Sequence, residues 1–390
     1  MSDNIYQRLG LQAVINGAGK MTALGGTAQG DEVAAAQAEA ARWHVDLQAL
    51  RDRAGERIAH HTGAEAACVT TGAAAGIAIA VAGCITGTHL DRVVRLPDST
   101  GLVNRVLLQA GHDVHFGAAV TQMIRLGGGR PVTLGWANLV PRELLDTALD
   151  DAGGTAALVY VQSHHSIQEQ MIPLADCVRA CHGRNVPVIV DAAAEEDLQR
   201  YISAGADLVT YSGGKAIGGP TAGFICGRRD LIAACELQSR GIARAMKVGK
   251  EQIAGLLVAL DIYVARDQAA EHARRSGLVG DLISALARID GLQAHVQPDE
   301  AGRGIDRVAL AVGAAPRTGN SSTGDSAGGT GNVAALRELV RFLAAGAPGI
   351  RTRNHHIDDG FVLIDPREIN AGQVPIIIAR IAAFFAEGRK

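Results

Sequence analysis

Seven short apolar runs, separated by helix-length segments, constrain the fold of this chain more than any other feature. They lie at residues 66–69, 91–96, 112–116, 156–161, 186–191, 206–212 and 222–227. Strands joined by helical crossovers pair in parallel, and the resulting sheet is covered by helices on both faces. The pattern therefore predicts an α/β fold with a mostly parallel, seven-stranded sheet.

Two regions flank this pattern. Residues 31–61 are rich in helix-forming residues and predict one or two helices, with Asp31 placed to cap the start. After residue 250 a long helical stretch precedes two strand-like segments, a further helix and the segment IRTRNHHIDDGFVLIDPR, which predicts a hairpin over 350–367. The change of pattern indicates a second, smaller domain of mixed α+β type.

We therefore predict three regions along the chain. Residues 1–60 form an N-terminal segment with helices, 61–250 a large ligand-binding domain and 251–390 a small C-terminal domain. Within the last region, GNSSTGDSAGGTGN at 319–332 offers no side chain large enough to anchor a core. This stretch predicts a flexible loop.

Charge and cysteine content narrow the classes of partner. There are 37 Lys and Arg against 40 Asp and Glu, a formal net charge of −3, so nothing favours nucleic acid or a membrane surface and we expect a small-molecule ligand. The opening MSDNIYQRLG lacks a signal-peptide pattern, and no uninterrupted apolar stretch is long enough for a membrane span. Six cysteines without CxxC spacing fit reduced core residues, so we expect a cytoplasmic protein without a metal site.

The segment YSGGKAIGGPTAG, residues 211–223, holds one charged residue, Lys215, between glycines. Burial of an amine disfavours its charged form, which suits a lysine that forms a Schiff base. Taken alone, an ordinary lysine in a glycine-rich turn is the plainer interpretation.

Two further segments bear on this choice. After the run at 66–69, Thr71 and Gly72 lead into a row of alanines that starts at Ala73, an arrangement that leaves a helix N-terminus open to a phosphate. A close-packed core helix would show the same small residues. The run VPVIVD ends in Asp191, at the sheet edge where ligands bind in open α/β sheets, although a helix cap is the commoner role of such an Asp.

The order of these features resembles the fold-type I pyridoxal-phosphate enzymes. YSGGKAIGGPTAG differs from the selenocysteine synthase signature FSGxKxxGGPxAG only at Tyr211, and RAMKVGKEQIAGLL, VINGAGKMTALGG and the segment at 350–367 resemble other motifs of that family. The N-terminal motif starts at Val14 and the net charge is negative, so we expect no tRNA substrate. QSHHSIQEQMIPL at 162–174 resembles the D-glucosaminate-6-phosphate ammonia-lyase branch of this selenocysteine-synthase-like family.

The resemblance implies roles for individual residues. Lys215 would hold pyridoxal 5'-phosphate as a Schiff base and remove the substrate Cα proton, while Asp191 would keep the pyridine nitrogen protonated. Further cofactor contacts are implied for Thr71, Gly72, Ala73, Ser212, Gln162 and His164. For the His164–His165 pair, a surface loop is an equal alternative.

Substrate contacts are harder to assign. Arg353 is the candidate for the substrate carboxylate, since a guanidinium binds that group in a bidentate manner. Arg244 and Lys247 would hold a substrate phosphate or pair across a dimer, with solvated charges as the plainer alternative. Contact with the cofactor ring is assigned to Asp98, Ser99 or a histidine of the run at 112–116.

The implied function is that of a lyase that eliminates water and ammonia from a small β-hydroxy amino acid or a 2-amino sugar acid, with or without a phosphate, to give a 2-oxo acid. An aldolase, a racemase, an aminotransferase or a selenocysteine-synthase-like transferase would use the same lysine. A binding-only regulator of pyridoxal phosphate would keep the same residues without catalysis. We expect a homodimer or a higher homo-oligomer.

Overall fold

The computed structural model describes residues 4–163, 165–299, 304–313 and 332–387. In chain order the strands are β1 (Val14–Gly17), β2 (Ala66–Thr70), β3 (Arg105–Gln109), β4 (Arg130–Leu134), β5 (Ala157–Val161), β6 (Val188–Asp191), β7 (Leu208–Ser212), β8 (Gly223–Gly227), β9 (Leu292–Pro298), β10 (Asp306–Val312), β11 (Gly349–Thr352) and β12 (Val362–Ile364).

The helices alternate with the strands over most of the chain. They are α1 (Ile5–Arg8), α2 (Asp31–Ala41), α3 (Leu47–Thr62), α4 (Ala73–Thr86), α5 (Leu90–Val93), α6 (Val120–Leu126), α7 (Arg142–Leu149), α8 (Leu174–His182), α9 (Arg200–Ser203), α10 (Arg229–Leu237), α11 (Lys250–Ala265), α12 (Gln268–Leu286), α13 (Val333–Ala344) and α14 (Val374–Glu387). No helix within the described ranges is long and apolar enough to cross a bilayer.

Contacts divide the described chain into two compact units, one of which runs from Gln29 to Ala265. It contains a seven-stranded sheet in the order β2-β8-β7-β6-β5-β3-β4. Strands β3 to β7 pair in parallel, whereas β8 runs antiparallel to both β7 and β2. The predicted α/β fold and mostly parallel seven-stranded sheet are therefore confirmed.

Two cores, one on each face of this sheet, explain the near-continuous apolar strands. One face packs against α3, α7, α8 and α11, and the other against α4, α6 and α10. All residues of β3, β5, β6 and β8 are buried, as expected for strands covered on both faces. The low aromatic content, 3%, is matched by cores built largely of Ala, Val, Ile and Leu.

Two of the seven predicted strands are wrong. Residues 91–96 lie in α5 and the turn after it, and 112–116 lie in a loop that follows a short 3-10 helix. The strands at these places in the sheet are β3 and β4. The sequence pattern missed β3 because its apolar part, 106–108, is only three residues long and is bounded by Arg105 and Gln109. Arg105 is nevertheless buried and paired with Asp151 at 2.5 Å.

The second unit comprises the described residues up to Ala28 and those from Arg266 onward. Its strands form a parallel pair, β1-β11, and an antiparallel sheet in the order β12-β10-β9, and they pack with α12, α13 and α14. The predicted hairpin over 350–367 is wrong in detail. Its two strands belong to different sheets and are linked by one bridge, between Arg353 and Leu363.

The boundaries of the two units differ from the boundaries of the three regions that the sequence pattern predicts. Contacts group α2, α3 and α11 with the large sheet, and they group β1 with the C-terminal strands. The division at residues 60 and 250 into folding domains stays a prediction. The predicted flexible loop over 319–332 lies, except for Asn332, outside the described residues.

Candidate active site

The turn between β2 and α4 presents an open helix N-terminus. No side chain among the described residues caps α4, and the N–H of Gly76 is the one that donates back to the carbonyl of Gly72, at 2.9 Å. Gly72 has φ +152°, and a Cβ added there would meet no atom within 4 Å. The N–H of Gly72 donates to the hydroxyl of Thr70 at a long 3.3 Å. An uncapped helix N-terminus with space beside it suits an anion.

Neighbouring strands hold this turn in place. The hydroxyl of Thr210 on β7 donates to the carbonyl of Ala73 at 3.3 Å. A Cβ on Gly76 would lie 2.1 Å from Thr210 Oγ1, and one on Gly223 would lie 2.9 Å from Gly72 Cα. The small residues in this segment thus serve both interpretations of the sequence: they let α4 pack closely, and they leave its N-terminus open.

Asp191 ends β6 in the middle of the sheet edge formed by the carboxyl ends of β5, β6 and β7. The side chain is buried and accepts one hydrogen bond, from the N–H of Ala193 at 3.2 Å. Burial raises the pKa of Asp191 to about 6, opposed by the positive charge of Lys215 and by the Ala193 N–H, while Glu195 raises it further. A buried carboxylate with one such bond retains acceptor capacity for a charged donor.

Lys215 lies in the turn between β7 and β8. The turn is fixed by backbone bonds from Gly213 to Ala222 and from Gly219 to Gly213, both 2.7 Å. A Cβ on Gly213 would lie 2.7 Å from Leu256 Cδ1, so the glycines around the lysine permit α11 to pack against the turn. The positive charge of Lys215 lowers the pKa of Asp191, so these two predicted residues lie within electrostatic range of each other.

The end of β5 supplies the next residues of the site. Gln162 donates its backbone N–H to the backbone carbonyl of Asp191 at 2.9 Å, so the two residues are neighbours at this edge of the sheet. Ser212, at the end of β7, is half-buried and donates its N–H to Ala193 at 3.2 Å. His164, the other candidate from this region, lies outside the described residues.

His112 is the histidine of the run at 112–116 that the structure places at this edge. It follows β3, its Nδ1 accepts from the N–H of Val161 at 3.3 Å, and its ring meets Tyr160 edge-on at 4.5 Å. Burial lowers the pKa of His112 to about 4, partly offset by Gln168, so the ring is neutral. The sequence predicts this histidine as part of a strand at 112–116. The strand is instead β3, which ends at Gln109, three residues before His112.

Asp98 and Ser99, the other two candidates for contact with the cofactor ring, do not follow a strand in the structure. Asp98 and Ser99 were selected because they follow residues 91–96, which are not a strand. The Ser99 hydroxyl is buried and donates to the carbonyl of Gly128 at 2.6 Å. Asp98 is exposed and accepts from Thr100, which lowers its pKa.

The candidate substrate cations differ in their surroundings. Arg353 is 7% exposed, and its backbone pairs with Leu363. Arg351, two residues earlier, is exposed. The two arginines differ because β11 ends at Thr352, so the alternation of side chains along the strand does not continue to Arg353. Arg244 lies in a 3-10 helix that ends just before Lys247, and both side chains are exposed.

These features fit pyridoxal 5'-phosphate as a cofactor. The open α4 N-terminus suits the phosphate, the under-bonded Asp191 suits a protonated ring nitrogen, and Lys215 carries the amine that reacts with the aldehyde. The amine of Lys215 can act as a base, and it interacts electrostatically with the carboxylate of Asp191. This combination can remove a proton next to an amino group.

Relatives in sequence match nearly the whole chain. The profile of the L-seryl-tRNA selenium transferase family matches residues 188–296. The D-glucosaminate-6-phosphate ammonia lyase of Salmonella typhimurium is 44% identical over 381 residues, which cover 98% of each chain. The 5'-C-glycyluridine monooxygenase-decarboxylase of a Streptomyces species is 43% identical and covers 96% of this chain and 90% of its own.

Solved structures agree with these matches. A structure of D-glucosaminate-6-phosphate ammonia-lyase superposes with a TM-score of 0.88 at 41% identity, with 100% of both chains covered. A serine palmitoyltransferase of Sphingomonas wittichii gives a TM-score of 0.56 at 15% identity over 96% of this chain and 88% of its own. The second likeness shows the fold alone, a fold-type I architecture.

Proposed function

Because this chain belongs to the selenocysteine-synthase-like family of pyridoxal-phosphate enzymes, we propose that it is an ammonia-lyase acting on a 2-amino sugar acid. The relative of 44% identity is named for such a substrate, D-glucosaminate 6-phosphate. A second observation supports the chemistry: the charge of Lys215 acts on the buried carboxyl of Asp191.

The reaction balances without an oxidant. The substrate loses the proton on Cα and the hydroxyl on Cβ, which leaves as water, and the resulting C=C bond shifts to an imine that water hydrolyses. Ammonia leaves from Cα, and the product is a 2-oxo acid with a methylene group at its β carbon. When bound, the cofactor supplies an electron sink for the pair left at Cα.

The residues of this chain carry the remaining steps. The Nζ of Lys215 takes the Cα proton as general base. Asp191, ionised above its pKa of about 6, holds a positively charged donor in the buried strand end. The N–H groups of Thr71, Gly72 and Ala73 and the hydroxyl of Ser212 bind phosphate, and Gln162 lies where it can contact the substrate or cofactor oxygens.

Contacts to the substrate itself extend this proposal. Arg353 binds the carboxylate, and Arg244 with Lys247 binds the phosphate.

The six cysteines are free thiols, which supports a cytoplasmic location. Fold-type I enzymes complete their sites across a subunit boundary, so we also propose a homodimer; sedimentation of an active 40 kDa monomer would contradict this last point.

The experiment is a product assay. Purified holoenzyme is incubated with D-glucosaminate 6-phosphate, and ammonia and 2-oxo acid are quantified together. The proposal expects both in equal amounts, and neither with the variant Lys215→Ala. Consumption of substrate without ammonia would contradict the lyase assignment.

A second candidate is an oxygen-dependent decarboxylase, favoured by the 43% identity to the glycyluridine enzyme. A separate incubation distinguishes it, because a monooxygenase-decarboxylase consumes O2 and releases CO2. With 5'-C-glycyluridine as the substrate, uptake of O2 in an oxygen electrode would favour this candidate. Its absence, together with ammonia release from the sugar acid, would exclude it.

A further inference from the structure

The turn that follows β6 carries a second carboxylate, Glu195, within electrostatic range of Asp191. The N–H of Ala193 donates to the Asp191 side chain at 3.2 Å, and the N–H of Glu195 donates to the carbonyl of Ala192 at 3.1 Å. These two bonds close successive turns directly after the strand. Glu195 is half-buried there, and its negative charge raises the pKa of Asp191.

A tyrosine hydroxyl fixes the side chain of Glu195. The hydroxyl of the buried Tyr201, on α9, donates to Glu195 Oε2 at 2.8 Å. Burial and the charge of Glu195 both raise the pKa of Tyr201, an effect that Arg200, 5.5 Å from the Tyr201 ring centre, opposes. Tyr201 therefore keeps its proton and stays a donor. Because this donor is neutral, the hydrogen bond orients the carboxylate without cancelling its charge.

Two further buried tyrosines hold the backbone of the same turn. Tyr263 on α11 donates its hydroxyl to the carbonyl of Glu196, and Tyr211 on β7 donates to the carbonyl of Asp197 at 3.0 Å. Burial raises the pKa of Tyr211, as do the charges of Asp197 and Glu195, so this donor also keeps its proton. The turn is thus anchored from three elements, and a charge held in a fixed place acts without reorganisation.

We propose that Glu195 is a positioning residue: its negative charge favours the proton that Asp191 and the pyridine nitrogen of the bound cofactor share. This inference rests on the proposed role of Asp191. A proton between a buried carboxylate and a ring nitrogen is held more tightly beside a further negative charge, because its loss leaves two carboxylates close together. The protonated ring is the better electron sink. Glu195 acts through Asp191 and not by contact with the substrate.

The test is nitrogen NMR of the holoenzyme, reconstituted with pyridoxal phosphate that is isotopically labelled at the ring nitrogen. The resonance reports whether this nitrogen carries a proton, and it is followed from about pH 6 to about pH 10. In Glu195→Gln the proton should be lost about one pH unit lower than in the wild type, the shift that a neighbouring charge produces. Equilibrium dialysis at about pH 8 should show roughly tenfold weaker cofactor binding.

Two variants separate this role from a structural one. Glu196→Gln removes the adjacent charge, at a residue whose carbonyl is held by Tyr263, and should titrate as the wild type does. Tyr201→Phe keeps the charge of Glu195 but removes the bond that orients it, so its midpoint should lie between those of Glu195→Gln and the wild type. The proposal is overturned if the nitrogen resonance of Glu195→Gln matches the wild type at every pH, even if cofactor affinity falls, because a structural role alone would do that.

Asp191→Asn distinguishes a failure of this inference from a failure of the proposed function. It should abolish the shared proton, while thermal unfolding confirms that each variant is folded. If Asp191→Asn changes the nitrogen titration and Glu195→Gln does not, only the inference about Glu195 fails. If Asp191→Asn leaves the titration unchanged, the proposed role of Asp191 fails as well.

Discussion

A Cβ atom on Gly76 would lie 2.1 Å from the hydroxyl oxygen of Thr210. Helix α4 therefore rests on β7 at a separation that no side chain at position 76 allows. The same hydroxyl donates to the carbonyl of Ala73, so β7 holds the first turn of α4 at the place where the cofactor phosphate is proposed to bind.

The variant Gly76→Ala is expected to displace this turn. Overpacking of a close contact costs about 1–3 kcal/mol, so the apoenzyme should unfold at lower urea concentration and the holoenzyme should lose its cofactor more readily. Equilibrium dialysis against pyridoxal phosphate measures the second effect. Gly277→Ala in α12 is the matched control, since a Cβ there meets no atom within 4 Å. Wild-type cofactor affinity in Gly76→Ala would contradict the placement of the phosphate.

The stability of the apoenzyme should depend on Asp191 below neutral pH. Burial raises its pKa from 3.8 to about 6, so the folded state binds a proton more tightly than the unfolded state does. Stability is then lost as the pH rises from about 4 to about 6, by roughly 3 kcal/mol in total.

Urea unfolding of the apoenzyme across this range tests the effect. Asp191→Asn should lack this component of the slope and should be the more stable apoprotein at pH 7, yet bind pyridoxal phosphate more weakly. Identical pH profiles for the variant and the wild type would show that the carboxyl is not buried in solution.

Lys20 provides a second pH-dependent contribution, in the other unit. Its Nζ lies 3.7 Å from Glu368, and burial lowers its pKa from 10.5 to about 8, an effect that Glu368 opposes and that Arg367, Arg275 and Arg266 reinforce. The unfolded state holds this proton more tightly, so stability should rise between pH 8 and 10.5. Lys20→Met should remove this rise in unfolding experiments, with Arg8→Met, an exposed variant, as the control.

Much of the fold could be predicted because buried parallel strands have a distinctive sequence pattern. β5, β6, β7 and β8 were placed correctly, since no charged residue lies in the interior of any of these strands. β3 was missed because only three apolar residues lie between Arg105 and Gln109. Arg105 is buried beside Asp151, 46 residues later in the chain, and such a long-range pair leaves no local signal. β4 was missed because it is an edge strand with only one buried residue, Leu134, and a proline at its second position.

The site divides in the same way. Lys215, Asp191 and the Thr71–Ala73 turn were predicted from local signals, namely glycine spacing and strand ends. In the structure the charge of Lys215 lowers the pKa of Asp191. The position of His112 depends on where β3 ends and on its bond to Val161, two facts that only the paired sheet supplies. The roles assigned to these residues stay predictions.

Arg353→Ala should raise the substrate KM about tenfold or more, because a charge-assisted pair is lost. The exposed Arg351→Ala is the matched control and should retain the wild-type KM. Steady-state assays of ammonia release give KM, and the absorption spectrum reports whether cofactor is retained. Loss of cofactor in Arg353→Ala would indicate a structural role, and loss of affinity in Arg351→Ala would move the carboxylate to that residue.

The most direct test of the account is to find which lysine carries the cofactor. Holoenzyme is reduced with borohydride, digested and mapped by mass spectrometry, with apoenzyme treated in the same way as the control. We predict one phosphopyridoxyl group, on Lys215, in the peptide that contains YSGGKAIGGPTAG. A modification on another lysine, such as Lys247 or Lys250, with Lys215 unmodified, would contradict the assignment of the active site.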